Sequence, residues 1–274
     1  MIEDILIHIL DLNPCPQSQH SICLTLAELI RRNLLSPQRL RSLYPLIHES
    51  LLYEKEEGGY SIGQAVRDAA CYMTWAVARG YEDGGELGIP LMIAACFDRE
   101  VGCRRAASAA YQELVGRVGG VPNGIEVLTE ADYFTLGLQK NSYLNVGIFV
   151  ASYEPYFKPF VEHLGYQKLR HWDLEVKRIA ACSLSLMCPL NPQFMADELL
   201  PALVNYMQAD AMTTKLGSVI GIGEVLIGLA GKSHIHQLHN EMKDSVFLKS
   251  LTQNDKKLIH AGEYMTIFKE KYEK

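Results

Sequence analysis

The stretch VRDAACYMTWAVARGY, residues 66–81, combines many small side chains with two opposite charges at the start of a predicted helix. Its first five residues, VRDAA, recur as CRRAA from Cys103, VKRIA from Val176 and TKLGS from Thr214. We call this apolar–basic–x–small–small element the signature. Its copies are 37, 73 and 38 residues apart. The middle interval is about twice the others, which predicts a degenerate copy near residue 140, where Ser142 and Gly147 are small.

The spacing of the signature predicts the fold. Apolar residues recur at helical spacing through most of the chain, and alternating strand patterns are scarce. A repeat in the high thirties lies between the roughly 34 residues of a TPR unit and the 40–47 of HEAT or armadillo units. The signature resembles the start of a HEAT inner helix. We therefore predict an all-α, HEAT/armadillo-like solenoid of paired antiparallel helices, in which residues 1–274 form one segment of five to six pairs without terminal caps.

The signature also predicts how neighbouring repeats contact each other. Its small residues let helix backbones approach closely, and its charged residues suggest a ladder of ion pairs between adjacent repeats. The predicted ladder residues are Arg67, Asp98, Arg104, Asp173, Lys177, Asp210 and Lys215. Ser61, Asp98, Asp173 and Asp210 are also predicted to cap the inner helices.

Further elements follow from apolar periodicity and from proline and glycine. Ser36 is predicted to cap a helix that starts at Pro37, with a kink or break at Pro45. Loops are predicted at 54–61 and 116–124. The remaining predicted helices are 20–34, 87–97, 100–116, a short one near Thr129–Asp132, 141–152, 156–166, 173–187, 194–207, 212–230, 238–250 and 254–271.

Composition excludes several classes of function. The formal net charge is −6 and the pI is about 5.9, so nucleic acid is not an expected partner. No apolar run approaches the roughly 20 residues of a membrane span, and Glu3 and Asp4 argue against a signal peptide. The seven cysteines contain no C-x-x-C pair and are expected to be reduced and buried.

Two groups of residues are candidate partner-binding surfaces. The first is Asp68, Tyr72, Trp75 and Arg79, spaced i, i+4, i+7 and i+11 along one helix. Aromatic residues and arginine are common at interface hot spots, although Trp75 packed against a neighbouring helix would give the same pattern. We name this group the helix stripe.

The second candidate lies at the turn before an inner helix, where Arg170, His171 and Trp172 precede Asp173. A structural corner would give the same sequence. We name this group the corner. Arg99, Arg104 and Arg105 form a basic line that would suit an acidic partner.

Enzyme chemistry has weaker support. His234, His236 and His239 are close in sequence, but no Cys or carboxylate stands at a companion spacing, so we expect no metal site. Cys71, Cys96, Cys103 and Cys182 lie in apolar helical sequence, where thiols act as small hydrophobes. The glycines of GRVGGVPNG lack the context of a phosphate loop, so we expect no catalytic site and no cofactor.

Several long strings carry a family resemblance. HSICLTLAELIRRNLLSP, VRDAACYMTWAVARGY, AACFDREVGCRRAASAAYQELVGR, PNGIEVLTEADYF, HWDLEVKRIAA and KLGSVIGIGEVL occur in this order. Over residues 20–226 the chain resembles the central region of the tubulin-specific chaperone D family, also called tubulin-folding cofactor D. Members are much longer, so this chain is expected to be a fragment or a shortened relative.

The resemblance implies a helical chaperone without an active site of its own. It implies that the chain binds β-tubulin and acts with cofactors E and C on the αβ-tubulin heterodimer. It further implies stimulation of tubulin GTP hydrolysis, an ARF-like small GTPase as partner, and a cytoplasmic location with microtubule or centrosome association. Two alternatives stay open from the residues alone: a HEAT scaffold or adaptor for another cargo, and an enzyme using Cys/His chemistry.

Overall fold

The computed structural model describes His8 and residues 15–230, and within that range the chain is mainly helical. The helices are α1 Pro16–Arg31, α2 Pro37–Ser42, α3 Tyr44–Leu51, α4 Gln64–Gly80, α5 Gly88–Phe97, α6 Val101–Arg117, α7 Gly124–Leu128, α8 139–151, α9 Glu154–Tyr166, α10 Leu174–Met187, α11 192–206 and α12 Met212–Ala230. Helices α8 and α11 each contain a π-helical segment, Ser142–Val146 and Met195–Leu199. The all-α prediction is confirmed. The predicted helices 238–250 and 254–271 lie outside the described residues.

The signature occupies the same place in four helices. Val66, Cys103, Val176 and Thr214 are the third residues of α4, α6, α10 and α12, and all four are buried. The basic residue of each copy is therefore the fourth residue of its helix. A shared position in four separate helices is what repetition of one structural unit requires.

Close packing explains the small residues of the signature. Helix α1 packs on α4, and α4 packs on α6. Ala69, Ala70 and Ala107 are almost completely buried. At the equivalent place in α12, a Cβ added to Gly217 would lie 1.6 Å from the carbonyl oxygen of Leu169. At that place only glycine allows the backbones to approach so closely.

The degenerate copy predicted near residue 140 corresponds to α8. This helix lacks a basic fourth residue and carries buried Ser142 there instead. The helix before it, α7, has only five residues, and α9 contacts α5 directly. Phe97 at the end of α5 packs edge-on against Tyr143 and Phe160, with ring centroids 5.1 and 4.9 Å apart. An aromatic cluster therefore joins three helices where the repeat is irregular.

The prediction of a loop at 54–61 is wrong, because this segment forms most of a β-hairpin. Strands β1 Lys55–Glu57 and β2 Tyr60–Ile62 pair antiparallel, and Glu57 lies opposite Tyr60. Gly58 and Gly59 form the turn with φ of 61° and 84°, as tight hairpin turns require. Both strands are short and carry few apolar residues, so their alternation is weak in the sequence.

From the sequence we expect no apolar run of the length of a membrane span, but α12 contains one. Its stretch Met212–Leu229 is long and apolar enough to cross a membrane by length and composition alone. Of that stretch 44% is buried against protein. Added Cβ atoms at Gly221 and Gly228 would meet the Leu169 side chain and the Ser185 carbonyl oxygen. Packing of α12 against these neighbours accounts for its apolar composition. A buried core helix meets the same criteria of length and composition as a membrane-spanning helix.

Candidate partner-binding surfaces

The helix stripe forms a connected aromatic and basic surface on α4. The Tyr72 and Trp75 rings stack with centroids 5.6 Å apart, and the guanidinium carbon of Arg79 lies 4.8 Å from the centre of the Trp75 ring. Both aromatic side chains are half-buried and Arg79 is exposed. Asp68 is exposed at the start of α4, beyond the stacked rings. The three stacked side chains therefore present one surface that is ordered before any partner binds.

This surface continues onto the helices on both sides of α4. The Tyr72 hydroxyl donates a 2.7 Å hydrogen bond to Glu28 on α1, and Arg79 forms a 3.1 Å ion pair with Glu113 on α6. Glu28 also pairs with Arg31 and Arg32 at the end of α1, and Glu113 also pairs with Arg117 on α6. Four exposed guanidinium groups lie with three carboxylates, those of Glu28, Glu113 and the exposed Asp68, so the surface carries a small excess of positive charge on a chain of net charge −6.

The corner is also built around an aromatic ring and an arginine. His171 stacks on Trp172 with centroids 5.3 Å apart, and the Arg99 guanidinium lies 4.9 Å above the indole ring. Arg99 also pairs with Asp173 at 3.5 Å. Arg170 lies over the ring of Tyr206 at 5.3 Å. The structure thus places Arg99 beside the corner, although about 70 residues of sequence separate them.

The single basic line predicted for Arg99, Arg104 and Arg105 is wrong. Arg99 lies at the corner, whereas Arg104 is buried and Arg105 lies 4.2 Å from the ring of Tyr133. Adjacent residues on a helix point in different directions, so Arg104 and Arg105 meet different neighbours.

A cleft of about 280 Å³ opens beside the corner. Its lining is mainly polar and consists of Leu52, Glu54, Glu56, His163, Gln167, Lys168, Arg170, His171, Trp172 and Thr213. The indole N–H of Trp172 is buried without a hydrogen-bond partner among the described residues. A buried donor without an acceptor costs stability, which favours a functional interpretation of this corner.

A network around Glu54 forms one wall of the cleft. Glu54 accepts a hydrogen bond from Ser61 at 2.6 Å and forms an ion pair with Lys168 at 3.5 Å. The backbone N–H of Asp173 donates to Nδ1 of His171, so Nε2 carries hydrogen and donates to Glu54 at 2.8 Å. Burial alone would raise the pKa of Glu54, but these partners lower it well below its usual range. The network therefore needs an ionised carboxylate.

The structure also places the predicted ladder residues. The Arg67 guanidinium makes two hydrogen bonds to Asp98, at 2.6 and 3.2 Å, and both side chains are buried. Arg67 also donates to the carbonyl oxygen of Tyr53 at 2.8 Å. These contacts join α4 to the segment before the hairpin and to the α5–α6 connection.

The other ladder partners need correction. Arg104 donates to the backbone carbonyl oxygens of Leu136 and Gly137, at 2.8 and 2.9 Å, and Lys177 donates to that of Thr213 at 2.6 Å. Lys215 is half-buried and Asp210 is exposed. Carbonyl oxygens replace carboxylates because the backbone at or just before the start of a later helix faces the buried cation.

Two of the predicted caps are also wrong. Ser61 donates to Glu54 instead of capping α4, whose first residue follows Gly63. Asp98 accepts from the Glu100 N–H, one residue before α6 begins. Asp173 does cap α10, since its side chain accepts from the Glu175 N–H.

Three buried thiols lie in environments that disfavour nucleophilic chemistry, whereas Cys15 is exposed and its hydrogen bond with Ser18 lowers its pKa. Burial raises the pKa of Cys103 to about 12 and also raises the pKa values of Cys71 and Cys96 well above the usual range. A thiol with such a pKa carries almost no thiolate at neutral pH. No group of three His, Cys, Asp or Glu side chains suited to a metal ion occurs among the described residues. His234, His236 and His239 lie outside them.

The sequence interpretation missed the partnership of Glu54 with Lys168 and His171. These residues are 114 and 117 positions apart, and no local pattern connects them. It also missed the exposed apolar side chains of the loop at 129–138, for which the string ADYFTLGL was the available signal.

Comparison with known proteins supports the resemblance. Residues 1–125 match the family model described as Tubulin-specific chaperone D-like, ARM repeats. The chain is 38% identical to Tubulin-specific chaperone D of Dictyostelium discoideum over 251 aligned residues. The aligned region covers 89% of this chain and 17% of that protein. The resemblance to tubulin-specific chaperone D is confirmed. A second relative is Tubulin-folding cofactor D of Schizosaccharomyces pombe, 27% identical over 258 residues, 90% of this chain and 23% of that protein.

The chain thus spans less than a quarter of the length of these two relatives. No solved structure gives a significant match to it. The helix stripe and Arg99 lie inside the region that matches the tubulin-specific chaperone D repeats, whereas the rest of the corner lies after residue 125.

Proposed function

We propose that this chain is a segment of a tubulin-folding chaperone that binds β-tubulin and helps to assemble or disassemble the αβ-tubulin heterodimer in the cytoplasm. The observation that carries the proposal is the 38% identity, over 89% of the chain, with Tubulin-specific chaperone D. Cofactors E and C and an ARF-like small GTPase belong to the same proposal, as does an effect on tubulin GTP hydrolysis exerted by positioning tubulin.

The proposed mechanism is reversible capture by ordered surfaces. The helix stripe and the corner each hold a tryptophan beneath an arginine, so their aromatic rings are already in place. Binding then costs little side-chain entropy, and release needs no covalent step. The excess of exposed arginine around Trp75 favours an acidic surface on the partner.

The test is a binding measurement with purified tubulin and the whole chain. We expect Trp75→Ser with Arg79→Ser to weaken binding by about tenfold or more, since tryptophan and arginine dominate hot spots. Lys158→Ser is the matched control, because Lys158 is an exposed cation on α9 in an i, i+4 pair with Glu162. Absence of tubulin binding by the unmodified chain would contradict the proposal.

The corner has its own variant in the same assay. Trp172→Phe keeps an aromatic ring under Arg99 but removes the unpaired indole N–H. Equal affinity of this variant and the unmodified chain would show that the indole N–H does not contribute to tubulin binding. If tubulin binds to neither surface while another cargo binds to the helix stripe, the scaffold alternative is favoured.

A further inference from the structure

The loop at 129–138, between α7 and α8, exposes large apolar side chains. Phe134 is 81% exposed, Leu138 is 75% exposed, and Tyr133 is also exposed. Ile125, in the short helix just before the loop, is exposed as well. Such a concentration in one short segment is uncommon, because exposed apolar surface adds nothing to the stability of the folded chain.

Its own polar side chains hold this loop in one conformation. The Asp132 carboxylate accepts from the N–H groups of Phe134 and Thr135, at 2.7 and 2.8 Å. The Thr135 hydroxyl donates to the carbonyl oxygen of Glu130 at 2.6 Å, and the Asn141 amide donates to that of Thr135 at 2.7 Å. Hydrogen bonds to residues before and after Phe134 therefore hold the turn that carries it.

Side chains of helix α6 also hold the loop through hydrogen bonds to its backbone. The signature arginine, Arg104, donates to the carbonyl oxygens of Leu136 and Gly137, and Ser108 donates to that of Ala131 at 3.0 Å. Ala131 and Leu136 are fully buried. The loop thus has buried anchors at two points, with Phe134 between them.

The charges that border the apolar side chains are mostly negative. Glu126, Glu130 and Asp132 are exposed in and just before the loop, and Lys140 is exposed two residues after Leu138. The guanidinium of Arg105 already lies on the Tyr133 ring and donates to the Tyr133 carbonyl oxygen at 3.3 Å. The charge of this surface is therefore opposite to that of the helix stripe.

We propose that the 129–138 loop is a preformed docking element that inserts Phe134 and Leu138 into an apolar pocket of a partner protein whose rim carries Lys and Arg. Burial of a phenylalanine and a leucine supplies the favourable free energy, and the prior ordering of the loop lowers the entropic cost of binding. The acidic side chains beside the loop select a basic rim over an acidic one. This goes beyond the proposed function, because an apolar and acidic element suits a different surface from the one that suits the helix stripe.

The test is site-specific photo-crosslinking with the whole chain in a eukaryotic cytosolic extract. Phe134 is replaced by p-benzoylphenylalanine, and the same replacement at Leu34 is the matched control, since Leu34 is 64% exposed on another loop. The crosslinked protein is identified and the crosslinked position is mapped by mass spectrometry. We expect one protein, crosslinked from position 134 at an apolar pocket flanked by Lys or Arg.

Two further changes sharpen the result. Leu138→Ser should reduce the yield of that crosslink about tenfold, and Glu130→Lys should reduce it less, because a rim charge contributes less than a buried anchor. Equal crosslinking from positions 34 and 134, insensitivity to Leu138→Ser, or a mapped site that is polar or acidic would each overturn the proposal. A tubulin pull-down with Phe134→Ser separates the two proposals, because unchanged tubulin binding leaves the helix stripe intact whatever the crosslink shows.

Discussion

The signature helices hold their neighbours with buried cations, whereas α8 does so with hydroxyl groups. Arg67 and Arg104 reach forward to the connections before α6 and α8, at Asp98 and Leu136, and Lys177 reaches forward to Thr213 in the first turn of α12. Arg67 and Arg104 also donate back to carbonyl oxygens that precede them, at Tyr53 and at Asp98 and Arg99. In α8, the hydroxyls of Ser142 and Tyr143 reach back to carbonyl oxygens at the end of α5, 2.6 Å away in each case. Buried cations therefore maintain the regular repeats, and neutral hydroxyls replace them where the repeat is irregular.

That difference changes which parts of the chain meet. In a regular solenoid each repeat contacts only its neighbours. Because α7 is short, α9 packs on α5, and Glu54 before α4 reaches Lys168 and His171 before α10. The irregular repeat thus creates the cleft at the corner by letting distant repeats meet.

Removal of the forward contact in α4 should have the largest effect on stability. Arg67→Ala leaves the buried Asp98 carboxylate without its cation, which costs roughly 3–5 kcal/mol of unfolding free energy. Urea denaturation measures the loss. The double variant Arg67→Met with Asp98→Asn should recover part of it, and equal loss in both variants would show that the ion pair is not the cause.

The close approach of helices at the signature should be the next most sensitive feature. Gly217→Ala places a Cβ against the backbone of Leu169 and should cost about 3 kcal/mol by overpacking. Gly223→Ala in the same helix is the control, because a Cβ there meets nothing within 4 Å. The control should be neutral or stabilising by up to about 1 kcal/mol, since alanine favours helix. Similar midpoints of thermal unfolding for the two variants would contradict the packing argument.

The contact between distant repeats should depend on pH. Because the folded-state pKa of Glu54 is lowered, its contribution is complete above the unfolded pKa of about 4.3 and is lost as the pH falls further. Glu54→Gln should reduce stability at pH 7 by about 2 kcal/mol and should flatten the decline between about pH 5 and pH 3. Urea midpoints measured across this range test it. An unchanged slope would mean that Glu54 is not the group that titrates.

The backward contact in α8 should have the smallest effect. Ser142→Ala removes one neutral hydrogen bond, to the Cys96 carbonyl oxygen, and should cost about 1 kcal/mol. Arg67→Ala, measured under the same urea conditions, is the reference. A loss in Ser142→Ala as large as that of Arg67→Ala would remove the distinction between charged and neutral contacts.

The helices and their repetition were predictable from the sequence because both follow from local patterns. The signature places an apolar and a basic residue at the third and fourth positions of α4, α6, α10 and α12. Where α8 departs from the pattern, Ser142 and Tyr143 have no counterparts, so their partners on α5 could not be inferred. The hairpin was missed because three-residue strands are too short to show alternation.

The candidate surfaces were predictable only in part. The helix stripe lies on one helix, so its spacing alone put Tyr72, Trp75 and Arg79 on one side. The corner needed tertiary structure, because Arg99 comes from the α5–α6 connection and Glu54 from the start of the hairpin. Sequence alone determined which residues repeat, since helical periodicity is local. The tertiary structure decided what each buried cation binds, because backbone carbonyl oxygens carry no sequence signal and only the fold brings them within reach.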